Sequence, residues 1–254
     1  MSTQWIRPEW PGPPNVSALI TTRTGGVSRG PYGAPPHDRG GMNIGLASGD
    51  DRADVMANRA LLRAVLPAEP CWLNQVHGAA VVDARQGKVD AGPADASFTD
   101  AANVVCVVSI ADCMPVLLAD ASGRCVGVAH AGWRGLASGV IQATVNAMRQ
   151  RLDNAGAEVL AYLGPAIGPR HFEVGPEVLE MMRTLLSDAD SAFAPHAAGK
   201  YLADLFALGQ QALAQAGVAR IYGGEDCTFS DPMRFYSFRR DRTTGRHAAL
   251  IWRV

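Results

Sequence analysis

The stretch VVCVVSIADCMPVLLADASGRCVGVAHAGWRG, residues 104–135, decides the fold class. It contains three short apolar runs rich in Val, Leu and Ile, at residues 104–110, 115–119 and 124–129. Runs of this length and composition, separated by turn residues, predict buried β-strands rather than helices. The middle of the chain is therefore expected to form the centre of a β-sheet.

Patterns of helical spacing follow this strand-rich region, and the strand-like segment HAALIWRV closes the chain at residues 247–254. The helical patterns cover residues 135–151, 176–186 and 202–216. Strands of unequal length, joined by both tight turns and helices, favour mixed sheets over purely parallel ones. We therefore predict an α+β fold in which mixed β-sheets are covered by helices.

The 254 residues, 48% of them hydrophobic, are enough for one large core, and we predict a single catalytic domain over residues 1–254. Residues 24–45 contain seven glycines and three prolines and indicate a long loop. A loop of this length in a compact domain is a lid or a linker. Apolar segments at 16–20 and 53–65 look like parts of one core, so we interpret residues 24–45 as a lid.

Composition argues against several classes of partner. A net charge of −1 does not suit a protein that attracts nucleic acid or an anionic membrane over long range. The longest apolar run, residues 104–111, is far shorter than the roughly 20 residues that a membrane helix needs. The N-terminal sequence MSTQWIRPEWPGPP lacks the apolar core of a signal peptide, so we expect a cytoplasmic protein. Five dispersed cysteines without a C-x-x-C pair fit neither a disulfide framework nor a zinc finger.

The turn DASG at residues 120–123 predicts a hairpin between two of the strands. With two loop residues, Cys113 would lie directly opposite His130, at a Cβ separation of about 4.5–5.5 Å. A three-residue loop would instead shift the register by one and turn the two side chains to opposite faces. Pro115 cannot donate to a ladder and could end the pairing before Cys113.

His77, in the motif NQVHG at residues 74–78, is the candidate third ligand beside Cys113 and His130. Two histidines and one cysteine suit zinc, although their spacing follows no zinc-finger rule. Each alone could be an ordinary buried thiol or a hydrogen-bonded histidine. Asp112 beside Cys113 is unusual in an apolar core, and Arg134 in the turn HAGWRG offers a fork for phosphate. This grouping favours a functional site.

Five motifs carry a resemblance to a known family: NQVHG at 74–78, ADCMPVLLAD at 111–120, VAHAGWRG at 128–135, LGPAIGPRHFEVG at 163–175 and FYSFRRDRTTGR at 235–246. With them the chain resembles, over nearly its whole length, the YfiH/YlmD family of zinc-dependent purine nucleoside enzymes. These were historically called multicopper polyphenol oxidases or laccase-domain proteins. The resemblance implies mixed sheets packed face to face with helices outside, and a zinc ion bound by His77, Cys113 and His130.

The resemblance also implies the activity: phosphorolysis of adenosine, inosine and methylthioadenosine, and hydrolytic deamination of adenosine. The expected partners are purine nucleosides and phosphate. For this chemistry we expect Cys113 to act as a ligand, Asp112 as an acid or base and Arg134 as a phosphate-binding cation. The residues expected to bind substrate are Asn43, Arg59, Gln75, Trp133 and Arg239.

A second enzyme class remains open, because Cys113 and His130 also have the composition of a thiol nucleophile and its base. The fold implied by the resemblance is shared with cysteine-dependent deamidases. Members of the family have also been linked to removing a wrong amino acid from a cell-wall (peptidoglycan) precursor. A cysteine or zinc amidase is therefore the alternative function, and survival of activity after metal removal would favour a thiol enzyme.

Copper chemistry and RNA binding are weaker hypotheses. A multicopper oxidase needs many His-x-His pairs, whereas this chain has six histidines and no such pair, so we expect copper only as an adventitious ion in the zinc site. Arginines alternate with aromatic residues between 234 and 246, a pattern found in RNA-binding proteins. The net charge favours a solvated edge or a substrate-binding segment instead. We expect a monomer or a weak homodimer.

Overall fold

The structure, a computed structural model, describes residues 5–86 and 92–254; residues 1–4 and 87–91 of the predicted domain lie outside the described part. The strands are β1 (Val16–Ile20), β2 (Thr24–Ser28), β3 (Val81–Asp83), β4 (Ala96–Thr99), β5 (Cys106–Ile110), β6 (Met114–Asp120), β7 (Val126–Ala131), β8 (Val159–Leu163), β9 (Glu173–Val174), β10 (Phe193–Pro195), β11 (Tyr201–Ala203), β12 (Arg220–Gly223) and β13 (His247–Arg253). The helices are α1 (Arg52–Arg63), α2 (Trp133–Ala137), α3 (Val140–Arg151), α4 (Pro176–Leu185), α5 (Leu205–Gln215) and α6 (Phe238–Asp241).

Two sheets pack face to face at the centre of the molecule. The larger has the order β12-β8-β6-β7-β4-β3, and it is mixed because β12 runs parallel to β8 and β3 parallel to β4. The smaller is antiparallel, with the order β1-β13-β5. Strands β10, β11 and β9 form a third, small sheet, with the order β10-β11-β9. The predicted α+β class with mixed sheets is confirmed.

The alternating side chains of the strands divide the core into layers. In β6, Leu117 belongs to the apolar layer shared with the β1-β13-β5 sheet, whereas Leu118 belongs to the layer beneath α3 and α5. In β5, Val108 points into the first layer and Val107 away from it, towards α1. Because neighbouring residues of a strand face opposite sides, each central strand is buried on both faces. This explains the nearly continuous apolar runs in the sequence.

The hairpin between β6 and β7 has a different register from the one predicted. His130 pairs with Pro115, and Met114 pairs with Ala131, so Cys113 lies two positions beyond the predicted partner and next to Gly132. The predicted pairing of Cys113 with His130 is therefore wrong. A shift of two positions keeps a side chain on the same face of the sheet, so both side chains still point into one site.

A four-residue loop, residues 121–124, causes this shift. Asp120 N donates to Cys125 O at 2.9 Å, which closes the loop two residues later than expected. Contacts from distant parts of the chain hold it, since Ala121 N donates to Glu158 O at 2.8 Å and the Asn15 amide donates to Gly123 O at 3.0 Å. A local turn also forms, since Gly123 N donates to Asp120 O at 2.7 Å and Gly123 has a left-handed φ of 68°. Local and tertiary hydrogen bonds together therefore set the four-residue loop.

The predicted helix at 135–151 is two helices, α2 and α3, because Gly139 adopts a left-handed backbone with φ of 80° between them. The other two predicted helices correspond to α4 and α5. Among the described residues, no helix is both long enough and apolar enough to cross a membrane.

Residues 24–45 are more ordered than a plain loop, since they contain β2 and one turn of 3₁₀ helix at Gly30–Tyr32. The fully buried Asn58 of α1 holds this segment. Its Nδ2 donates to Asn43 O at 2.8 Å and to Ser28 Oγ at 2.9 Å, and its Oδ1 accepts from Val27 N at 2.8 Å. The segment is therefore packed against α1, and its movement as a lid stays a prediction.

Replacing Asn58 by Ala is expected to lower the free energy of unfolding by roughly 2–3 kcal/mol, because it leaves several buried backbone groups without partners. Chemical denaturation measures this value. Asn146→Ala is the matched control, since Asn146 is exposed on α3 and alanine favours a helix. Equal stability of the two variants would contradict the role assigned to Asn58.

Candidate metal centre

Three side chains from separate parts of the large sheet converge at one point. His77 lies in the loop before β3, Cys113 directly precedes β6, and His130 is in β7. One ligand atom from each lies within 4.8 Å of the other two. A Cys and two His are a donor set for catalytic zinc, which keeps a fourth position open. The three residues could therefore hold a metal ion.

The glycine after β7 allows this convergence. A Cβ atom on Gly132 would lie only 2.6 Å from Cys113 Sγ, so any larger residue would displace the thiol. The backbone of His77 adopts a left-handed conformation with φ of 63°, which costs energy for a non-glycine residue. The ligand cluster thus depends on two local backbone features that the spacing of the ligands does not reveal.

Asp95 orients the cluster and was missed in the sequence analysis. This carboxylate is fully buried and accepts hydrogen bonds from His130 Nδ1 at 2.8 Å, from His77 N at 2.9 Å and from Gly78 N at 2.7 Å. It also accepts one from Val76 N at 3.1 Å. Because Nδ1 of His130 donates to Asp95, its Nε2 is left free for a metal.

A signal for Asp95 was present in the sequence. Asp95 directly precedes the apolar strand β4, just as Asp112 follows the apolar strand β5. A carboxylate beside a buried strand needs partners. The reasoning that singled out Asp112 therefore holds for Asp95 as well.

The charged groups of the cluster shift one another's pKa values. Burial raises the pKa of Cys113, but the charge and hydrogen bonds of His130 and His77 outweigh burial and lower it below the ordinary value. Burial also opposes the charged form of Asp95, yet hydrogen bonds from His130 and the backbone lower the pKa of this carboxyl. A thiolate is the form of cysteine that binds metal. Burial disfavours the charged form of His130, but the charge of Cys113 and the hydrogen bond to Asp95 outweigh burial and raise the pKa of His130 to about 9, so without metal the thiolate pairs with an imidazolium. A metal ion at this cluster would therefore have to displace a proton from His130.

The cluster forms part of the wall of a cavity of about 1130 Å³. The cavity is larger than a small metabolite. It lies between the ends of the central strands and the C-terminal segment. Most of the predicted site residues reach the same wall. They are Arg59, Gln75, Asp112, Trp133, Arg134 and Arg239, besides the three candidate ligands.

Asn43 is the exception, because the structure does not bring it to the cavity. Its side chain is fully buried, and its amide nitrogen donates to Ser48 Oγ at 2.8 Å and to Asp50 at 2.9 Å. Its oxygen accepts from the backbone nitrogens of Gly45 and Arg246. All its polar atoms are used to fold this segment, so Asn43 has a structural role here.

Gln75 and Arg59 touch the cavity but also have partners in the protein. Both amide atoms of Gln75 pair with the backbone of Ser109, at 2.7 and 2.9 Å, which ties the loop of His77 to β5. The Arg59 guanidinium lies 3.7 Å from the ring centre of Trp72, and its Nε donates to Ile44 O. Burial lowers the pKa of Arg59 to about 10, so this side chain stays charged at neutral pH.

Asp112 links the cluster to the C-terminal segment. Its backbone has a φ of 86°, and its two carboxylate oxygens accept from Thr228 Oγ1 and from Arg239 N, both at 2.6 Å. Arg239 in turn donates through Nη1 to Glu173 O at 2.7 Å. Asp112 therefore holds α6 over the cavity.

Trp133 and Arg134 follow the last ligand strand and open α2. The Arg134 guanidinium carbon lies 4.2 Å from the ring centre of Trp133, a distance typical of a cation–π contact. Both side chains line the cavity. This pair presents a flat aromatic surface and a positive charge close to the ligand cluster.

The chain is an α+β protein in which two facing sheets lie between helical layers, and a His-Cys-His cluster lies in the wall of a large cavity. A comparison with family models identifies its family. Residues 17–254 match the model described as multi-copper polyphenol oxidoreductase laccase, and the chain belongs to this family.

Similar proteins extend over the whole chain. Purine nucleoside phosphorylase PA4543 of Pseudomonas aeruginosa is 46% identical over 249 residues, and purine nucleoside phosphorylase YfiH of Escherichia coli is 45% identical over 251 residues. Each alignment covers 98% of both chains. A crystal structure of protein NMB0706 from Neisseria meningitidis is similar with a TM-score of 0.89 and 43% identity, over 98% of both chains. The structure of YlmD from Geobacillus stearothermophilus has a TM-score of 0.88 and 33% identity, over 100% of this chain and 97% of that one.

Replacing Asp95 by Asn is expected to weaken binding of Zn²⁺ by about 10–100-fold, because an amide group cannot accept all the hydrogen bonds that now orient His130. Competition with a chromophoric chelator measures this affinity. Asp100→Asn is the control, since Asp100 is half-exposed and pairs with Arg85 and Arg151 away from the cluster. Unchanged zinc affinity in the Asp95 variant would refute its role in orienting the ligand.

Proposed function

We propose that this protein is a zinc-dependent purine nucleoside enzyme. Its reactions would be the phosphorolysis of adenosine, inosine and methylthioadenosine, and the hydrolytic deamination of adenosine. The observation that carries this proposal is the His77, Cys113 and His130 cluster in the wall of a cavity large enough for a nucleoside and phosphate together. Relatives named purine nucleoside phosphorylase, 45–46% identical over nearly full length, support the substrate class.

Zinc is the metal we propose for the cluster. One thiolate and two imidazoles, with His130 oriented by Asp95, match the ligands and the surrounding hydrogen bonds of catalytic zinc sites. When bound, zinc supplies a Lewis acid that polarises the group undergoing reaction. Copper is proposed only as an adventitious ion, because six histidines without a His-x-His pair cannot build the copper cluster of a laccase.

The residues of the cavity would bind and orient the substrates. Trp133 offers a face on which a purine can stack, and Arg134 beside it offers a positive charge for phosphate. Asp112 is the proposed acid or base, since it lies next to Cys113 and lines the cavity. Arg59 and Arg239 would bind substrate, and Gln75 would act mainly by holding the loop of His77. We propose that these reactions take place in the cytoplasm.

An amidase that acts on a cell-wall precursor is the second candidate. Cys113, His130 and Asp95 follow one another in the order nucleophile, base and orienting carboxylate, and this arrangement is also that of thiol hydrolases. The amidase would use either zinc or the Cys113 thiol, so the two proposals differ in substrate, and a cysteine amidase differs also in its need for metal. A thiol enzyme keeps its activity after metal removal, whereas the proposed nucleoside enzyme loses it.

Protein purified without added metal is expected to contain zinc and to convert adenosine. With phosphate, mass spectrometry should detect adenine and ribose 1-phosphate; deamination should give inosine. Dialysis against a chelator should remove both reactions, and Zn²⁺ should restore them. Full conversion of adenosine by the metal-free protein would refute the zinc mechanism and favour Cys113 as a nucleophile.

Replacing Cys113 by Ala is expected to abolish turnover of adenosine while the protein remains folded, because the change removes a ligand rather than a core contact. Cys125→Ala is the matched control. Cys125 is fully buried in the apolar core, and burial raises the pKa of its thiol to about 12, so it is an unreactive packing residue. Steady-state kinetics and circular dichroism measure both effects. Equal loss of activity in the two variants would show that the wrong thiol had been chosen.

A further inference from the structure

The cavity carries an excess of positive charge. Among the described residues, six arginines but only two carboxylates line it, and one of these carboxylates, Asp112, already has both oxygens occupied by hydrogen bonds. The arginines are Arg52, Arg59, Arg134, Arg239, Arg242 and Arg246. A partly enclosed wall with several cations attracts an anion. Arg134, the cation proposed above for phosphate, is one of these arginines, and within the described part of the chain its side chain has no hydrogen-bond acceptor.

Arg242 and Arg246 form a distinct pair around one aromatic ring. Their guanidinium carbons lie 6.0 and 5.7 Å from the ring centre of Phe238, which is 47% exposed. Within residues 5–86 and 92–254, no carboxylate lies within 4.0 Å of either guanidinium, and the Arg242 side chain has no hydrogen-bond acceptor. Arg246 uses only Nη1, which donates to two backbone carbonyls of its own turn. Both cations therefore have donors to spare.

The backbone at Arg242 is strained. Its φ of 60° and ψ of −64°, with a hydrogen bond from Thr243 N to Asp241 O at 2.7 Å, form a γ-turn that non-glycine residues rarely adopt. The surroundings hold this turn, because the Asp241 carboxylate accepts two hydrogen bonds from Arg240 at 2.8 Å and lies 3.7 Å from Arg23. Strain of this kind is retained mainly at binding and catalytic sites.

The pair also lies close to the candidate metal centre. Burial lowers the pKa of Arg246, while the neighbouring charges of Cys113 and Asp112 act to raise it. The Arg246 guanidinium is therefore within electrostatic reach of the thiol. An anion bound by this arginine would lie in the same cavity as a substrate next to the His-Cys-His cluster.

We propose that Arg242 and Arg246, both next to the ring of Phe238, form a subsite for a phosphoryl dianion in the cavity. A guanidinium presents parallel N–H donors that match phosphate oxygens, and two of them can neutralise both negative charges. The dianion is either inorganic phosphate or the phosphate group of a nucleotide. The choice of inorganic phosphate rests on the proposed phosphorolysis, whereas the subsite itself rests on the geometry of the two arginines.

The test uses the zinc-loaded protein and its variants Arg242→Met and Arg246→Met. Calorimetry measures binding of inorganic phosphate, adenosine and adenosine 5′-monophosphate. Each variant is expected to bind the phosphoryl ligand about tenfold more weakly or worse, because a charge-assisted hydrogen bond is lost, while its affinity for adenosine stays the same. Arg220→Met is the control, since Arg220 is exposed on the edge strand β12 and pairs with Glu158. This control should behave like the parent protein.

A third variant, Arg242→Gly, separates binding from folding. Glycine adopts a positive φ without strain, so this variant should unfold at the same temperature as the parent protein or higher. It should nevertheless lose affinity for the dianion as Arg242→Met does. A variant that is folded and stable but no longer binds phosphate cannot be explained by a structural role of the arginine.

The outcomes separate the subsite from the proposed reaction. Phosphate binding that depends on the two arginines, without conversion of nucleosides, would support the subsite and refute phosphorolysis. Conversion of nucleosides with unchanged phosphate affinity in both Met variants would overturn the subsite alone. Tight binding of the monophosphate but not of inorganic phosphate, lost in the variants, would assign the subsite to a nucleotide. If neither inorganic phosphate nor the monophosphate binds the parent protein, the subsite is overturned.

Discussion

The buried carboxylate of Asp95 is the interaction on which the candidate site depends. It joins a loop, residues 76–78, to strand β7 through hydrogen bonds to three consecutive backbone nitrogens and to His130 Nδ1. One acidic group thereby fixes both the position of His77 and the orientation of His130. Without it, the two imidazoles would belong to independent segments, and Cys113 alone could not hold a metal ion in a defined geometry.

Three non-glycine residues at the cavity share a left-handed backbone: His77, Asp112 and Arg242. Each is held there by hydrogen bonds or ion pairs of its neighbours, and each contributes a ligand, a carboxylate or a cation to the wall. A left-handed conformation costs a residue with a side chain about 1 kcal/mol or more. The packing of the two sheets against each other offsets this local strain.

The cavity combines the candidate His-Cys-His metal site with six arginines among the described residues of its wall. The aromatic residues Trp72, Trp133 and Phe238 each contact a guanidinium at the wall. A guanidinium held against a ring has already lost side-chain freedom, so less freedom is lost when it binds an anion. The metal cluster and the arginines are built from segments far apart in the sequence, and Asp112 connects them through Thr228 and Arg239.

The amino-acid sequence alone determined the strands and the donor atoms of the candidate centre. The apolar runs at β5, β6, β7 and β13 are long enough, and rich enough in β-branched residues, to specify buried strands. The motifs around His77, Cys113 and His130 identify the family. The tertiary structure contributed to the hairpin register, because Glu158 and Asn15 hold the loop at 121–124 from far along the chain, in addition to the loop's own turn hydrogen bond. It also decided the role of Asp95, whose partners lie 17 to 35 residues away. Hydrogen bonds between distant segments carry no periodic pattern, so they become visible only in the folded chain.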